Sequence, residues 1–396
     1  MTSAAEITAA VRQLYNTYPF PPEPLLDEPP PGYNWRWSWP AAYSFCSGCY
    51  PPQLDIAILD AGCGTGVGTE YLAHLNPQAQ ITALDVSERA LEIARERCRR
   101  SGACNVEFHH LPLEEVAQLR QTFQMINCVG VLHHLPDPQR GIQALADVLA
   151  PGGILHLFVY GERGRWEIKL MQQAIALLLG GDRHNYREGV AIGRQLFAAL
   201  PENNRLKKRE QERWSLENQR DECFADMYVH PQEIDYTIAG LFDLIAASGL
   251  EFVGFSNPQV WRLERLLGSQ PELLQRARQL PPLQQYQLIE CLDPEAMTHF
   301  EFFLAKPPLP RHDWSQDADL LAAVAWRHPC LDGWPGVCVF NCHYEVIQLN
   351  RAEQQFLAAA TGQKNVTELL AEQPDLNLAG VRSLLERNLL LLGVQK

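Results

Sequence analysis

Between Asp55 and Tyr160 the sequence alternates short apolar runs with stretches of helical periodicity. IAILD is followed by a glycine turn and TEYLAHL, ITALD by SERALEIARERC, VEF by EEVAQLR, and MINCVGVL by QRGIQALADVLA; PGGILHLFVY closes the series. Short apolar runs bounded by turn signals suit strands buried on both faces, and the 3.6-residue period between them suits crossover helices. Repeated β–α units of this kind have one economical solution, a parallel sheet with helices on both faces. Pro151-Gly152-Gly153 supplies the helix stop and turn before the fifth strand.

The rhythm breaks after Tyr160. Residues 161–236 read as helical and polar with no clear strand. YTIAGLFDLIAASGL then reads as a helix, EFVGFSN as a sixth strand and HFEFFLAKP as a seventh. We therefore expect one α/β domain over 51–307, a seven-stranded, mostly parallel sheet with helical cap insertions at 161–236 and 259–298. PPLPRHD from Pro307 serves as a linker to a small C-terminal domain at 312–396, with helices around 351–360, 366–372 and 378–387. Residues 1–50 form an N-terminal arm or lid. A short amphipathic helix is followed by eight prolines between Pro19 and Pro40, interleaved with Tyr18, Phe20, Tyr33, Trp35, Trp37 and Trp39. Proline forbids a regular helix, and so many rings do not stay in water, so an extended arm laid across a domain surface is expected.

Composition narrows the function. A net charge of −14 disfavours nucleic acid or an anionic membrane as partner. The basic run Arg205-Leu206-Lys207-Lys208-Arg209 is interrupted by acids within a few positions and reads as a solvated helix face. From Arg311 onward seven Lys and Arg face ten Asp and Glu, which argues against DNA binding and for packing on the core or homodimerisation. No apolar run approaches the ~20 residues of a membrane span, and MTSAAEITAAVRQLY lacks the basic start and apolar core of a secretory signal. The expectation is a cytoplasmic protein. Eleven scattered cysteines read as reduced thiols, and neither Cys46-Ser-Gly-Cys49 nor the group His328, Cys330, Cys338, Cys342, His343 has the spacing of a compact zinc module.

The turn ILDAGCGTGVG places Gly62, Gly64 and Gly66 between the first strand and its helix, with Asp60 at the strand end. Glycine admits positive φ and close backbone approach to a ligand. A dinucleotide site would want its third glycine at position 67, which is Val67, and the phosphate-cradling Gly-Lys-Ser/Thr is missing. Asp85, at the tip of ITALD, is placed to take both hydroxyls of a ribose, while Ser87 is the better helix cap.

Asp60 to Gly66, Asp85, NCVGVLHHLPDP and LAPGG together resemble, in this order, the motifs of class I S-adenosylmethionine-dependent methyltransferases. The resemblance covers roughly residues 55–160 and implies a Rossmann-like sheet whose seventh strand is antiparallel. It implies that Gly62, Gly64 and Gly66 line the methionine part of S-adenosyl-L-methionine, that Cys63 and Thr65 also bind the cofactor, and that Asp60 holds the loop and the ammonium. Asp85 takes the ribose, Val86 packs on adenine, and Cys128, Val129, Gly130 and Val131 lie beside the sulfonium. The acidic residue often found after the third strand is replaced by HHLPLEE, so Leu111, Pro112 or Glu114 meets the adenine amino group. The flanks YNTYPFPPEP, YGERGRWEI and WSLENQRDECFADMYVHPQEIDYT are similar to bacterial methyltransferases of unassigned substrate, some with a winged-helix-like C-terminal domain.

Two histidine doublets, His109-His110 and His133-His134, end apolar runs at the sheet edge where ligands bind in such folds. Adjacent residues on a strand point to opposite faces, so His133 and His134 are not expected to chelate one ion, and no carboxylate partner is evident; no metal is expected. One of the two is placed to accept a proton from the acceptor, the other reading being a histidine bonded to a carbonyl. Tyr15 and Tyr18 in the arm, and Asp221, Asp226, Tyr228 and His230 in the insertion, are the candidate acceptor contacts. The expected activity is methyl transfer to an oxygen, nitrogen or carbon nucleophile of a small molecule. A cofactor-binding sensor without turnover and a protein side-chain methyltransferase are the alternatives.

Overall fold

The computed structural model describes residues 3–180 and 185–394; Met1, Thr2, residues 181–184, Gln395 and Lys396, which fall in the expected arm, insertion and C-terminal unit, lie outside them. Its centre is a seven-stranded sheet. The strands are β1 (Ala57–Ala61), β2 (Gln80–Asp85), β3 (Val106–His110), β4 (Phe123–Val129), β5 (Leu149–Tyr160), β6 (Glu251–Phe255) and β7 (His299–Ala305). Their order is β3-β2-β1-β4-β5-β7-β6, with β7 antiparallel to both neighbours and the other pairs parallel. Strand order reverses between β1 and β4, which opens a crevice beyond their carboxyl ends.

Strand alternation divides the core. Ile58, Ile81, Met125, Ile154 and Phe303 face one side, packed with Trp35, Trp39 and Leu72; Leu59, Leu84, Ile126, Leu155 and Phe302 face the other. The arm begins with α1 (Ala4–Thr17), capped by Ser3 and Glu6 in a reciprocal capping box. It then runs extended across the sheet edge to a 3-10 turn at Trp35–Trp37 and a helix, α2 (Trp39–Ser47). This helix corrects the expectation of proline-imposed irregularity: Pro40 sits in the first turn, where its missing N–H has no intrahelical partner to lose. Crossover helices α3 (Val67–Leu75), α4 (Glu88–Ser101) and α5 (Pro138–Val148) cover the sheet.

The first insertion supplies α6 (Trp166–Leu178), α7 (Tyr186–Ala199), α8 (Arg205–Arg213) and α9 (Asp221–Tyr228), and α10 (Ile238–Ser248) precedes β6. The second supplies α11 (Leu263–Leu267), α12 (Pro271–Arg278) and α13 (Pro282–Leu292). C-terminal to β7 lie α14 (Asp317–Ala322), β8 (Val324–Arg327), a hairpin of β9 (Cys338–Phe340) and β10 (Val346–Gln348), α15 (Arg351–Ala359), β11 (Thr361–Asn365), α16 (Val366–Glu372), α17 (Leu378–Glu386) and β12 (Leu390–Gly393). Strands β11, β8 and β12 form a small antiparallel sheet around its own apolar cluster. This unit packs on the arm: Tyr50 stacks on Trp326 at 4.1 Å, and Tyr33 stacks on Tyr344 at 4.7 Å. No helix among the described residues is long and apolar enough to cross a membrane.

Candidate functional site

The glycine turn after β1 is held open by conformation and by contact. Gly62 and Gly64 have φ of 82° and 52°; a Cβ at Gly62 would strike the Val131 side chain, and one at Gly64 the Phe20 carbonyl. The arm lies directly on this turn. Thr65 donates from its backbone N to Phe20 O at 3.1 Å and from its hydroxyl to Pro21 O at 2.5 Å. The buried Arg97 guanidinium donates to the carbonyls of Thr65, Glu23 and Pro24 at 3.0, 2.7 and 2.9 Å.

Two buried carboxylates flank the turn. Asp85 accepts from the backbone N–H groups of Gly64 and Ser87, each at 2.8 Å, while Ser87 caps α4 through Ala90 N. Asp60 accepts from Thr69 at 2.6 Å and from the Asn127 amide at 2.8 Å. Burial pushes the Asp60 carboxyl up to about 6 and raises Asp85 from the ordinary aspartate range. Asn127 also accepts from the Trp37 indole at 3.0 Å, tying the arm to the sheet centre.

Between these groups lies a cavity of about 400 Å³. Asp60, Gly62, Cys63, Gly64, Asp85, Val86, Val129, Gly130 and Val131 line it, with Leu111, Pro112, Leu113 and Glu114 beyond β3. Thr65, Gly66 and Cys128 do not: Thr65 is occupied by the arm, Gly66 packs against Ala94 of α4, and Cys128 is buried within β4. Sequence reasoning overlooked Trp37, Asn127, Phe158 and Tyr160 in the lining. Asn127 left a signal, as the polar residue in the otherwise apolar run MINCVGVL.

The second doublet is not on a strand. β4 stops at Val129, Gly130 turns with φ of 76°, and His133 and His134 lie in a 3-10 turn at Leu132–His134 with ring centroids 4.2 Å apart. Strand alternation therefore does not govern them. His134 lines the cavity; His133 lies behind it, its ring tilted against Tyr160 at 4.0 Å between centroids, with both ring nitrogens buried and without hydrogen-bond partners among the described residues. Burial lowers both imidazoles below the usual histidine range, His133 strongly. At the other doublet, His110 contacts the Val86 carbonyl at 2.9 Å and His109 meets Glu107 at 3.1 Å.

Of the candidate acceptor contacts, Tyr15 and Asp226 reach the cavity. Asp226 accepts from Tyr15 at 2.9 Å and, more weakly, from Tyr160 at 3.5 Å, and burial raises its carboxyl. Tyr18 packs into the insertion's apolar cluster, Asp221 pairs with Arg194 at 2.5 Å, and Tyr228 donates to Glu210. His230 stacks on His134 at 3.7 Å and faces a different pocket, beside Lys169 and Glu233.

His134, Asp226 and His230 bring candidate metal-ligating atoms within 4.8 Å of one another, the one such group among the described residues. The carboxylate that the sequence did not reveal comes from α9. The hydrogen bonds oppose chelation, however. His230 Nδ1 accepts from Gln232 N at 3.1 Å, which leaves its proton on Nε2, and the imidazoles stack with 24° between planes rather than converging.

A chamber of about 330 Å³ adjoins the cavity and shares Phe20, Pro21, Phe158, Tyr160 and Asp226 with it. Its outer walls include Trp214, Glu217, Cys223 and Met227 from the insertion and His299 from β7.

Residues 58–153 match the family model for a methyltransferase domain. The chain is 56% identical over 391 residues to an uncharacterised protein of Synechococcus sp., covering 98% of this chain and 93% of that one. The chain belongs to the class I S-adenosylmethionine-dependent methyltransferases. A second relative of this methyltransferase, an uncharacterised phycocyanin operon protein W of Pseudanabaena tenuis, is 68% identical over 94 residues, 24% of this chain and 89% of that one. Among solved structures, PKMT2 from Rickettsia typhi in complex with AdoHcy shares the fold. Its TM-score is 0.58 at 14% identity, over 93% of this chain and 77% of that one.

The cofactor of this methyltransferase is S-adenosylmethionine, and the lining suits it. Three buried carboxylates, Asp60, Asp85 and Asp226, border the cavity and, among the described residues, no lysine or arginine does, which suits a sulfonium with an ammonium and a ribose. Gly130 borders the same space, and a Cβ there would meet no protein atom within 4 Å.

Proposed function

We propose that this methyltransferase holds its cofactor in the 400 Å³ cavity and receives a small-molecule acceptor through the adjoining 330 Å³ chamber. Bound there, S-adenosylmethionine supplies an electrophilic methyl on a sulfonium leaving group. In this reading Asp85 takes the ribose hydroxyls, Asp60 the ammonium, and Val86, Leu111 and Leu113 the adenine. Tyr160, Phe158 and Asp226 form the window between the two spaces. The shared wall carries the proposal, because a nucleophile must meet the methyl in line, and holding it there can supply up to about 7–11 kcal/mol of the barrier. The arm excludes water by lying across the glycine turn.

One observation favours a second reading, a protein side chain as acceptor. The Pseudanabaena relative is named for a phycocyanin operon, which makes phycocyanin a candidate acceptor. A chamber of about 330 Å³ accommodates one side chain as readily as a small molecule. The test uses methyl-labelled S-adenosylmethionine with a cell extract, with purified phycocyanin, and with neither, separating small molecules from protein. Label in the small-molecule fraction, lost with Asp85→Ala, supports the first reading; label in phycocyanin supports the second. Cofactor binding with no transfer in either arm would sink both and favour a sensor.

A further inference from the structure

The hydrogen-bond polarity of the window restricts the group that can be methylated there. His134 Nδ1 lies 2.8 Å from the Gln232 carbonyl oxygen, which only accepts, so Nδ1 must carry the proton. In a neutral imidazole the lone pair is then on Nε2, which makes no hydrogen bond among the described residues. Burial lowers the His134 basicity, consistent with the neutral form. Asp226 is a second acceptor. Tyr15 and Tyr160 donate to one oxygen each, leaving two of the roughly four lone-pair sites of a carboxylate.

His134 and Asp226 both line the cavity and contribute ligand-type atoms within 4.8 Å of one another. Two N–H···acceptor bonds of about 2.9 Å from a single –NH2 group reach acceptors about 5 Å apart. Electrostatics agree. Among the described residues no lysine or arginine lines the cavity, and Arg165, the chamber's guanidinium, pairs with Glu233 at 3.1 Å and lies over the Tyr160 ring at 3.5 Å. The chamber also carries Glu23, Glu217 and Asp226. Among the described residues, an anionic acceptor would meet acceptors and carboxylates, with the chamber's guanidinium already paired to Glu233.

We infer that the acceptor atom is the nitrogen of an –NH2 group, from an amine or a carboxamide, held by His134 Nε2 and Asp226. This rests on the proposed cofactor and acceptor arrangement and deepens it. The nitrogen forms a bond to the methyl carbon, the C–S pair returns to sulfur, and one N–H proton passes to His134 Nε2. The products are N-methyl acceptor, S-adenosylhomocysteine and a protonated imidazole that releases its proton to solvent. Asp226 holds the second N–H and fixes the direction of the nitrogen lone pair.

The experiment measures binding of butylamine, butyramide, 1-butanol and butyrate to the full chain saturated with S-adenosylhomocysteine, by ligand-observed NMR. S-adenosylhomocysteine affinity, measured in the same samples, reports folding and the cofactor site. The expected result is that an –NH2 probe binds at least tenfold tighter than the alcohol and the carboxylate. That preference falls with Asp226→Asn and with His134→Leu, and is partly retained with His134→Gln, whose amide oxygen still accepts. Amine over amide, or the reverse, identifies the source of the –NH2 group. Equal or better binding of butanol or butyrate, no binding of either –NH2 probe, or a preference that survives both Asp226→Asn and His134→Leu would overturn the inference. Failure to bind S-adenosylhomocysteine would instead defeat the cofactor assignment on which it rests.

Discussion

The two ends of the cavity are built differently. The end bordered by Asp60, Gly62, Gly64, Asp85 and Val86 comes from one β–α–β passage, and its geometry is set mainly by backbone: positive-φ glycines and two N–H groups donating to Asp85. The window end takes Tyr15 from α1, His134 from the turn after β4, Tyr160 from β5 and Asp226 from α9; the Tyr15–Asp226 bond joins residues 211 positions apart. One end is local and covalently dictated. The other exists only when four elements have docked.

That contrast breaks in measurable ways. His134→Leu should lower methyl transfer on the order of 100-fold, the usual yield of a positioned base, while moving S-adenosylhomocysteine affinity by less than about threefold; a comparable loss of affinity would erase the distinction between the two ends. Asp85→Ala should do the reverse, weakening S-adenosylhomocysteine on the order of 30-fold by calorimetry, since charge-assisted hydrogen bonds contribute about 1.5–3 kcal/mol.

A smaller effect comes from pH. With the Asp60 carboxyl at about 6 in the free protein, its ionised fraction falls as pH drops through 6. Cofactor affinity should therefore fall about tenfold between pH 7 and 5 if that carboxylate meets the ammonium, and Asp60→Asn should flatten the profile. The folded carboxyl lies above the ordinary value of 3.8, so the free protein binds this proton more tightly than the unfolded chain does. Its contribution to stability is present below about pH 4 and is lost as pH rises through 6. The smallest effect belongs to the exposed Arg100–Asp27 pair at 2.6 Å, which pins the outer arm. Asp27→Ala should change cofactor affinity less than about twofold; a larger change would mean that the arm's outer half, and not Arg97, holds the lid.

The arm shows where sequence reading stopped short. Its aromatics and prolines announced burial, but not that Pro40 would open a helix or that Trp35 and Trp39 would enter the main core. Deleting residues 1–45 would therefore remove part of the core with the lid, and a truncation ending before Tyr33 tests the lid more cleanly.

The sequence by itself determined the parallel sheet, the antiparallel seventh strand once the family resemblance was recognised, and the candidate cofactor end. Period-2 and 3.6-residue patterning and glycine's freedom at positive φ act over neighbouring residues and are written in the order of the chain. The tertiary structure decided which histidine faces the cavity, gave it Asp226 as neighbour, and fixed its tautomer through the Gln232 carbonyl. Those outcomes depend on side-chain direction and on contacts between distant segments, and residue order carries neither.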